Sequence, residues 1–177
     1  AEVLNIAHLK AVYLAEKSAT GALINYYARS IEKDFKQVIE SVKAFANADA
    51  RRLKLRSILR AGAIATLGTN KKIYVETGYI HYPLYRYLLK DFNGNQNIRV
   101  VYLMQPVFKK LRCKRRNMGP GDILTLYYAL NLPIKEDVAN LLAARSLIYT
   151  RLIQTEEMLP VHSNPTPHSL DEALVNR

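Results

Sequence analysis

Six of the eight residues from 109 to 116 are cationic: Lys109, Lys110, Arg112, Lys114, Arg115 and Arg116. Charges packed this closely repel one another unless a polyanion supplies counter-charge, and duplex DNA offers about one phosphate charge per 1.7 Å of axis. A nuclear-targeting peptide and a plain solvated face are the rival readings of such a run. A second group lies upstream, at Arg51, Arg52, Lys54, Arg56 and Arg60. Arg52, Arg56 and Arg60 recur every fourth residue, so a helix would align them as one ridge. Such a ridge can follow a sugar-phosphate backbone, but phosphate contacts only position a protein and carry no base code. Lys71 and Lys72 extend the same basic surface.

Tyr74, Tyr79, Tyr82, Tyr85 and Tyr87 lie among these cations. Their rings could stack on the bases of a single strand. The reading preferred from sequence is a place in the core or at an interface, with each hydroxyl at a wet edge. Catalysis finds little footing. His8, His81, His162 and His168 are scattered without metal-ligand spacing, and no phosphate-cradling or dinucleotide glycine motif occurs. Cys113 sits among cations that would favour its thiolate, but no partner His or Asn is recognisable. No enzymatic activity, metal, cofactor or small-molecule substrate is expected.

Charge is unevenly placed along the 177 residues, whose net is +11. Residues 1–48 carry 6 basic and 5 acidic side chains, residues 49–68 carry 5 and 1, residues 69–120 carry 11 and 2, and residues 121–177 carry 4 and 7. A basic middle between neutral and acidic ends is the footprint of a polyanion partner. The single cysteine excludes an internal disulfide. No uncharged apolar run reaches the roughly 20 residues of a membrane span, and no secretory signal is visible.

The elements that must position these groups read as mainly α-helical, with long N-terminal and C-terminal helices around a small basic middle. Residues 2–17 read as a helix with a small face at Ala7, Ala11 and Ala15. Ile24, Tyr27, Ile31, Phe35, Val38, Val42 and Phe45 follow at intervals of 3 and 4, one apolar stripe on one helix. Asp49 is the expected N-cap of a separate helix over 50–67. Residues 71–77 and 98–103 are strand candidates that could pair as a β-hairpin, with Pro83 opening a helix between them. Asp122 should cap a short helix over 123–132. Pro133 should open another reaching about 158, with Val138, Leu141, Arg145, Ile148 and Leu152 at heptad spacing. One domain over 1–158 and an extended Pro-containing tail over 159–177, with a capping-box spacing at Ser169 and Glu172, complete the reading. A chain this size has little internal need for both the small face and the long stripe, so at least one should meet another subunit.

In its Ala-rich helical start (Ala7, Ala11, Ala15), its long helices with an arginine ridge (Arg52, Arg56, Arg60) and its lack of a catalytic motif, the chain resembles a major capsid protein of archaeal filamentous viruses. The resemblance rests on composition and helix layout across most of the chain. It implies a helical coat subunit enclosing double-stranded DNA beside like or paralogous subunits, in a virion assembled in host cytoplasm. Two other functions fit the same charge pattern: an intracellular single-copy RNA-binding subunit of a ribosome-like ribonucleoprotein, and a transcriptional regulator. The regulator is disfavoured because Glu136 and Asp137 would place carboxylates at the start of its recognition helix, beside phosphates.

Overall fold

The computed structural model describes residues 6–32, 34–67, 72–92, 98–103, 105, 106, 109, 118–152 and 163, with the backbone alone at 6 and 7. These residues are mainly α-helical. Helix α1 is Ile6–Arg29, α2 is Phe35–Thr66, α3 is Tyr82–Asp91, α4 is Pro120–Ala129 and α5 is Glu136–Leu152, with a 3-10 turn at Tyr79–His81 before α3. None of them is long and apolar enough to cross a membrane.

The 32 residues of α2 form a rod about 48 Å long, against which all four other helices pack. Its buried side chains are small or aliphatic and recur at helical spacing: Val42, Ala46, Ala50, Leu53, Ser57 and Ala61. Along its N-terminal half, Ile39, Val42 and Ala46 meet Tyr26 of α1, Leu124 of α4, and Ala139 and Ala143 of α5. In the middle, Ala50 and Leu53 meet Leu126 and Ala129, with Ile80 and Met118 at the edge. At the C-terminal end, Ala61 meets Leu84 and Leu88 of α3, flanked by Tyr87, Phe92 and Ile98.

Several helix boundaries differ from expectation: α1 runs on to Arg29, α5 begins at Glu136 rather than at Pro133, and the two boundaries around α2 differ for identifiable reasons. The stripe from Ile24 to Phe45 does not lie on one helix, because Asp34 caps α2. Its carboxylate accepts the backbone N–H of Lys36 and Gln37 at 3.1 and 3.2 Å, and Gln37 Nε2 donates back to it at 2.9 Å. An Asp with Gln three residues on is a capping-box pattern. The break turns Val38 and Val42 inward and leaves Ile24, Tyr27, Phe35 and Ile31 exposed, the last at 85 %. Asp49, conversely, starts nothing. It is a buried interior residue of an uninterrupted α2, whose alternating Ala44, Ala46, Ala48 and Ala50 have the highest helix propensity.

Helix α4 begins three residues earlier than expected, with Pro120 in its first turn and Asp122 accepting the Gly119 N–H at 3.0 Å. Glycine is required here by proximity. A Cβ on Gly121 would lie 2.7 Å from Ser146 Oγ, and one on Gly119 would lie 2.9 Å from the Tyr149 ring, so α4 and α5 approach almost backbone to side chain. The helix is followed, after its C-cap Leu130, by Asn131, whose φ of 52° is left-handed. The N–H groups of Asn131 and Leu132 donate to the carbonyls of Tyr128 and Tyr127, a Schellman ending with Asn in the glycine position.

On α5 it is Ala139, Ala143 and Ser146 that face the core. The heptad residues Val138, Leu141, Arg145, Ile148 and Leu152 point outward. On the small face of α1, Ala11 and Ala15 are half-buried, and Ala19, one turn further on, is buried. The described parts of the two strand candidates, 72–77 and 98–103, form neither strand nor ladder. Residues 93–97 between them lie outside the described residues, as do residues 153–158 and all of the tail except residue 163.

Candidate nucleic-acid interface

The cations of α2 do not act as one group. At about 100° per residue, Arg51 lies a quarter-turn from Arg52, and Lys54 lies almost opposite it. Arg52 and Arg56 are turned to α1. Arg56 Nη1 donates to Glu16 Oε1 at 2.9 Å, and Arg52 Nη1 lies 3.3 Å from Glu16 Oε2. Arg52 also grips Asp49 through Nε at 2.7 Å and Nη2 at 2.6 Å. Burial works against the Arg52 charge, but Asp49 and Glu16 together raise its pKa above the ordinary arginine value. Two members of the expected phosphate ridge are therefore bolts between α1 and α2. The missing signal was Glu16, which is 36 and 40 residues away in sequence.

Arg51 and Arg60 are exposed, Lys54 is half-buried, and Lys72 and Lys109 are exposed. Lys71, Lys110, Arg112, Lys114, Arg115 and Arg116 lie outside the described residues, as does Cys113. Lys109, Gln105 and Pro106 have helical backbone. Beyond the expected set, Arg86, Lys90 and Arg99 are exposed as well. Their signal in the sequence was the scarcity of acid in residues 69–120, where only Glu76 and Asp91 occur.

All the ion pairs among the described residues involve Glu16, Arg29, Glu32, Glu40, Lys43, Asp49, Arg52, Arg56 and Glu136. Lys43 illustrates the contrast: it joins Glu40 on α2 to Glu136 at the start of α5, and also donates to Asn140 Oδ1 at 3.1 Å. From residue 60 to residue 109, no described cation has a carboxylate partner among the described residues.

His81 lies half-buried at the edge of this region, its Nδ1 buried without a hydrogen-bond partner among the described residues. Burial, followed by the charges of Arg60, Arg56 and Arg52, lowers its pKa below the usual histidine value, against a weaker opposing pull from Asp49. Burial and the adjacent arginines both favour the neutral imidazole. Among the described residues no three of His, Cys, Asp and Glu converge to hold a metal ion.

The tyrosines divide between core and surface. Tyr87 does pack against the Ala61, Leu84 and Leu88 cluster. Tyr74 is 81 % exposed, and Tyr79 and Tyr82 are exposed too. Tyr79 leans on Tyr102 with ring centroids 5.4 Å apart, and Tyr82 on Tyr85 at 6.0 Å.

No protein-family model matches the chain. No solved structure matches it. Over 158 residues, 89 % of its length, the chain is 29 % identical to an uncharacterised protein of Archaeoglobus fulgidus, of which the match covers 53 %. The chain therefore spans about half the length of that relative.

Proposed function

We propose that this is a non-enzymatic nucleic-acid-binding protein that holds phosphates with the exposed cations between Arg60 and Lys109 and serves as a subunit of a multi-copy coat. The observation that carries the binding part is the division of labour among charges. Carboxylates partner the cations that join helices, whereas Arg60, Lys72, Arg86, Lys90, Arg99 and Lys109 are exposed and without carboxylate partners among the described residues. Unpaired cations concentrated in one region attract a polyanion and release its counterions on binding. The cluster from Lys109 to Arg116 adds to this by sequence.

The coat part rests on α5. Its inner face is buried, and its outer face carries Val138, Leu141, Ile148 and Leu152. A helix apolar on two faces is normally buried on both. Repeated subunit contacts supply the second burial, and they give a coat its fixed spacing, which phosphate contacts alone cannot do.

The test is the salt dependence of binding, by fluorescence anisotropy, to unrelated duplexes of equal length. Binding should be indifferent to sequence. Replacing Lys109, Lys110, Arg115 and Arg116 by Gln should flatten the slope of log K against log salt by about 0.9 for each phosphate no longer neutralised. An unchanged slope would remove the cluster from the interface. Electron microscopy of the saturated complex then separates the two structural roles: regular particles support the coat, whereas a discrete single-copy complex supports a ribonucleoprotein subunit.

A further inference from the structure

Helix α3 presents two unlike faces. Leu84 and Leu88 are buried against Ala61, and Pro83 is buried beside them. On the opposite side, positions 82, 85, 86, 89 and 90 fall within one arc of the helix at about 100° per residue. That arc carries Tyr82, Tyr85, Arg86, Leu89 and Lys90, all exposed except the half-buried Tyr85. The preceding 3-10 turn adds Tyr79, whose contact with Tyr102 brings the segment of exposed Arg99 alongside.

A tyrosine held at the surface by a neighbouring ring loses little freedom when a second flat group stacks on it. The Tyr82–Tyr85 and Tyr79–Tyr102 pairs are both of this kind, with rings inclined at 50° and 38°. The neighbouring Arg86, Lys90 and Arg99 have no carboxylate partner among the described residues. Exposed rings interleaved with unpaired cations match a polymer that offers both π faces and phosphates at short intervals. A duplex hides its base faces inside the stack, whereas a single strand presents them. A protein partner would need carboxylates facing each of these cations as well as an apolar surface for the rings; a single strand supplies both chemistries in every nucleotide.

We infer that the outer face of α3, with the Tyr79–Tyr102 pair, is a stacking platform for single-stranded nucleic acid. This rests on the nucleic-acid reading above and names the strand state that this surface recognises.

The experiment compares an oligothymidylate of about 15 nucleotides with a duplex of the same length, using the full chain. Because the protein contains no tryptophan, tyrosine emission reports ring contact directly. Oligothymidylate should quench it at saturation. Tyr82→Ala and Tyr79→Ala should each weaken single-strand binding roughly 5- to 150-fold, the range found for loss of one stacked base. Duplex affinity should stay within about twofold, and Tyr82→Phe should behave as wild type. Thermal melts monitor folding, and Tyr82→Leu, which keeps bulk but removes the π face, decides the matter if the alanine variant melts early. Single-strand affinity unchanged in Tyr82→Ala and Tyr82→Leu overturns the platform and leaves that face for a protein partner. Equal losses on single strand and duplex also overturn it, since they mark a general positioning role. If the wild-type chain binds neither polymer in a salt-dependent way, the nucleic-acid reading itself falls, a result distinct from either of these.

Discussion

Replacing Arg52 and Arg60 separately by Gln should pull apart two properties that a simple arginine ridge would join. Arg52 contacts one Asp49 oxygen through two nitrogens, at 2.7 and 2.6 Å, and reaches Glu16 at 3.3 Å. The Asp49 side chain is only 12 % exposed, so Arg52→Gln strands a nearly buried carboxylate. An unsatisfied buried group costs about 1–3 kcal/mol. The Glu16 pair is about one-third exposed on both sides and adds no more than about 0.2–1 kcal/mol. Partial solvation of Arg52 places the total near 2 kcal/mol, which for a chain this size lowers Tm by about 4–8 °C. Arg60 has no such partner and is exposed, so Arg60→Gln should leave Tm within about 1–2 °C, in line with other surface substitutions. The salt slope of duplex binding should respond in the opposite way. It should fall by about 0.9 for Arg60→Gln and hardly at all for Arg52→Gln. Calorimetry and a salt titration on the same two variants decide it. A flattened slope with unchanged Tm for Arg52→Gln would refute the division between joining and binding arginines.

Three further outcomes follow from the packing. His81 has a lowered pKa in the folded chain, chiefly through burial and the adjacent arginines, so between its folded value and the ordinary 6.5 the unfolded state binds more protons. Stability should therefore fall as pH drops below about 6.5, and urea unfolding of His81→Asn from pH 7.5 to 5 should show a shallower decline. Gly119→Ala pushes a Cβ to 2.9 Å from the Tyr149 ring and should cost about 1–3 kcal/mol, whereas Gly21→Ala, with nothing within 4 Å, should gain about 0.5–1 kcal/mol by restricting the unfolded chain. Ile148→Glu on the outer face of α5 should leave circular dichroism and Tm unchanged yet abolish regular particles with nucleic acid; early melting would place that face in the subunit's own core.

Much of the architecture is legible in the sequence because it depends on local chemistry. Pro83 marks the opening of a helix, and the Ala-rich periodicity before residue 67 marks the long helical segments. What cannot be read is which apolar positions face inward. The seven-residue stripe from Ile24 to Phe45 has good helical spacing, yet the short-range bonds of Asp34 divide it and leave half of it outside. On α5 the core takes Ala139, Ala143 and Ser146 in preference to the larger heptad residues, and at Ser146 the close approach to Gly121 leaves room only for a small group. Partner choice among charges is equally hidden. Asp49 resembles a cap because it precedes a basic helix, and Arg56 reads as free because Glu16 is distant along the chain. The five tyrosines near residue 80 cannot be sorted by type alone: Tyr87 turns to the core, whereas Tyr82 turns away from it.

The uninterrupted run of α2 also fixes a measurement. From Val42, packed against α4 and α5, to Ala61, beneath α3, the axis advances roughly 28 Å at about 1.5 Å per residue. Nothing in that span is a hinge, so the tyrosine-bearing face is held at a set height and azimuth from the apolar side of α5. A single residue inserted after Arg51 would change the height little but turn one face about 100° relative to the other. With the coat and the platform as proposed, a strand laid across α3 would then change direction relative to the subunit contacts made by α5. The length of α2 is thus a gauge, and its residue count sets the angle between the outer face of α3 and the outer side of α5.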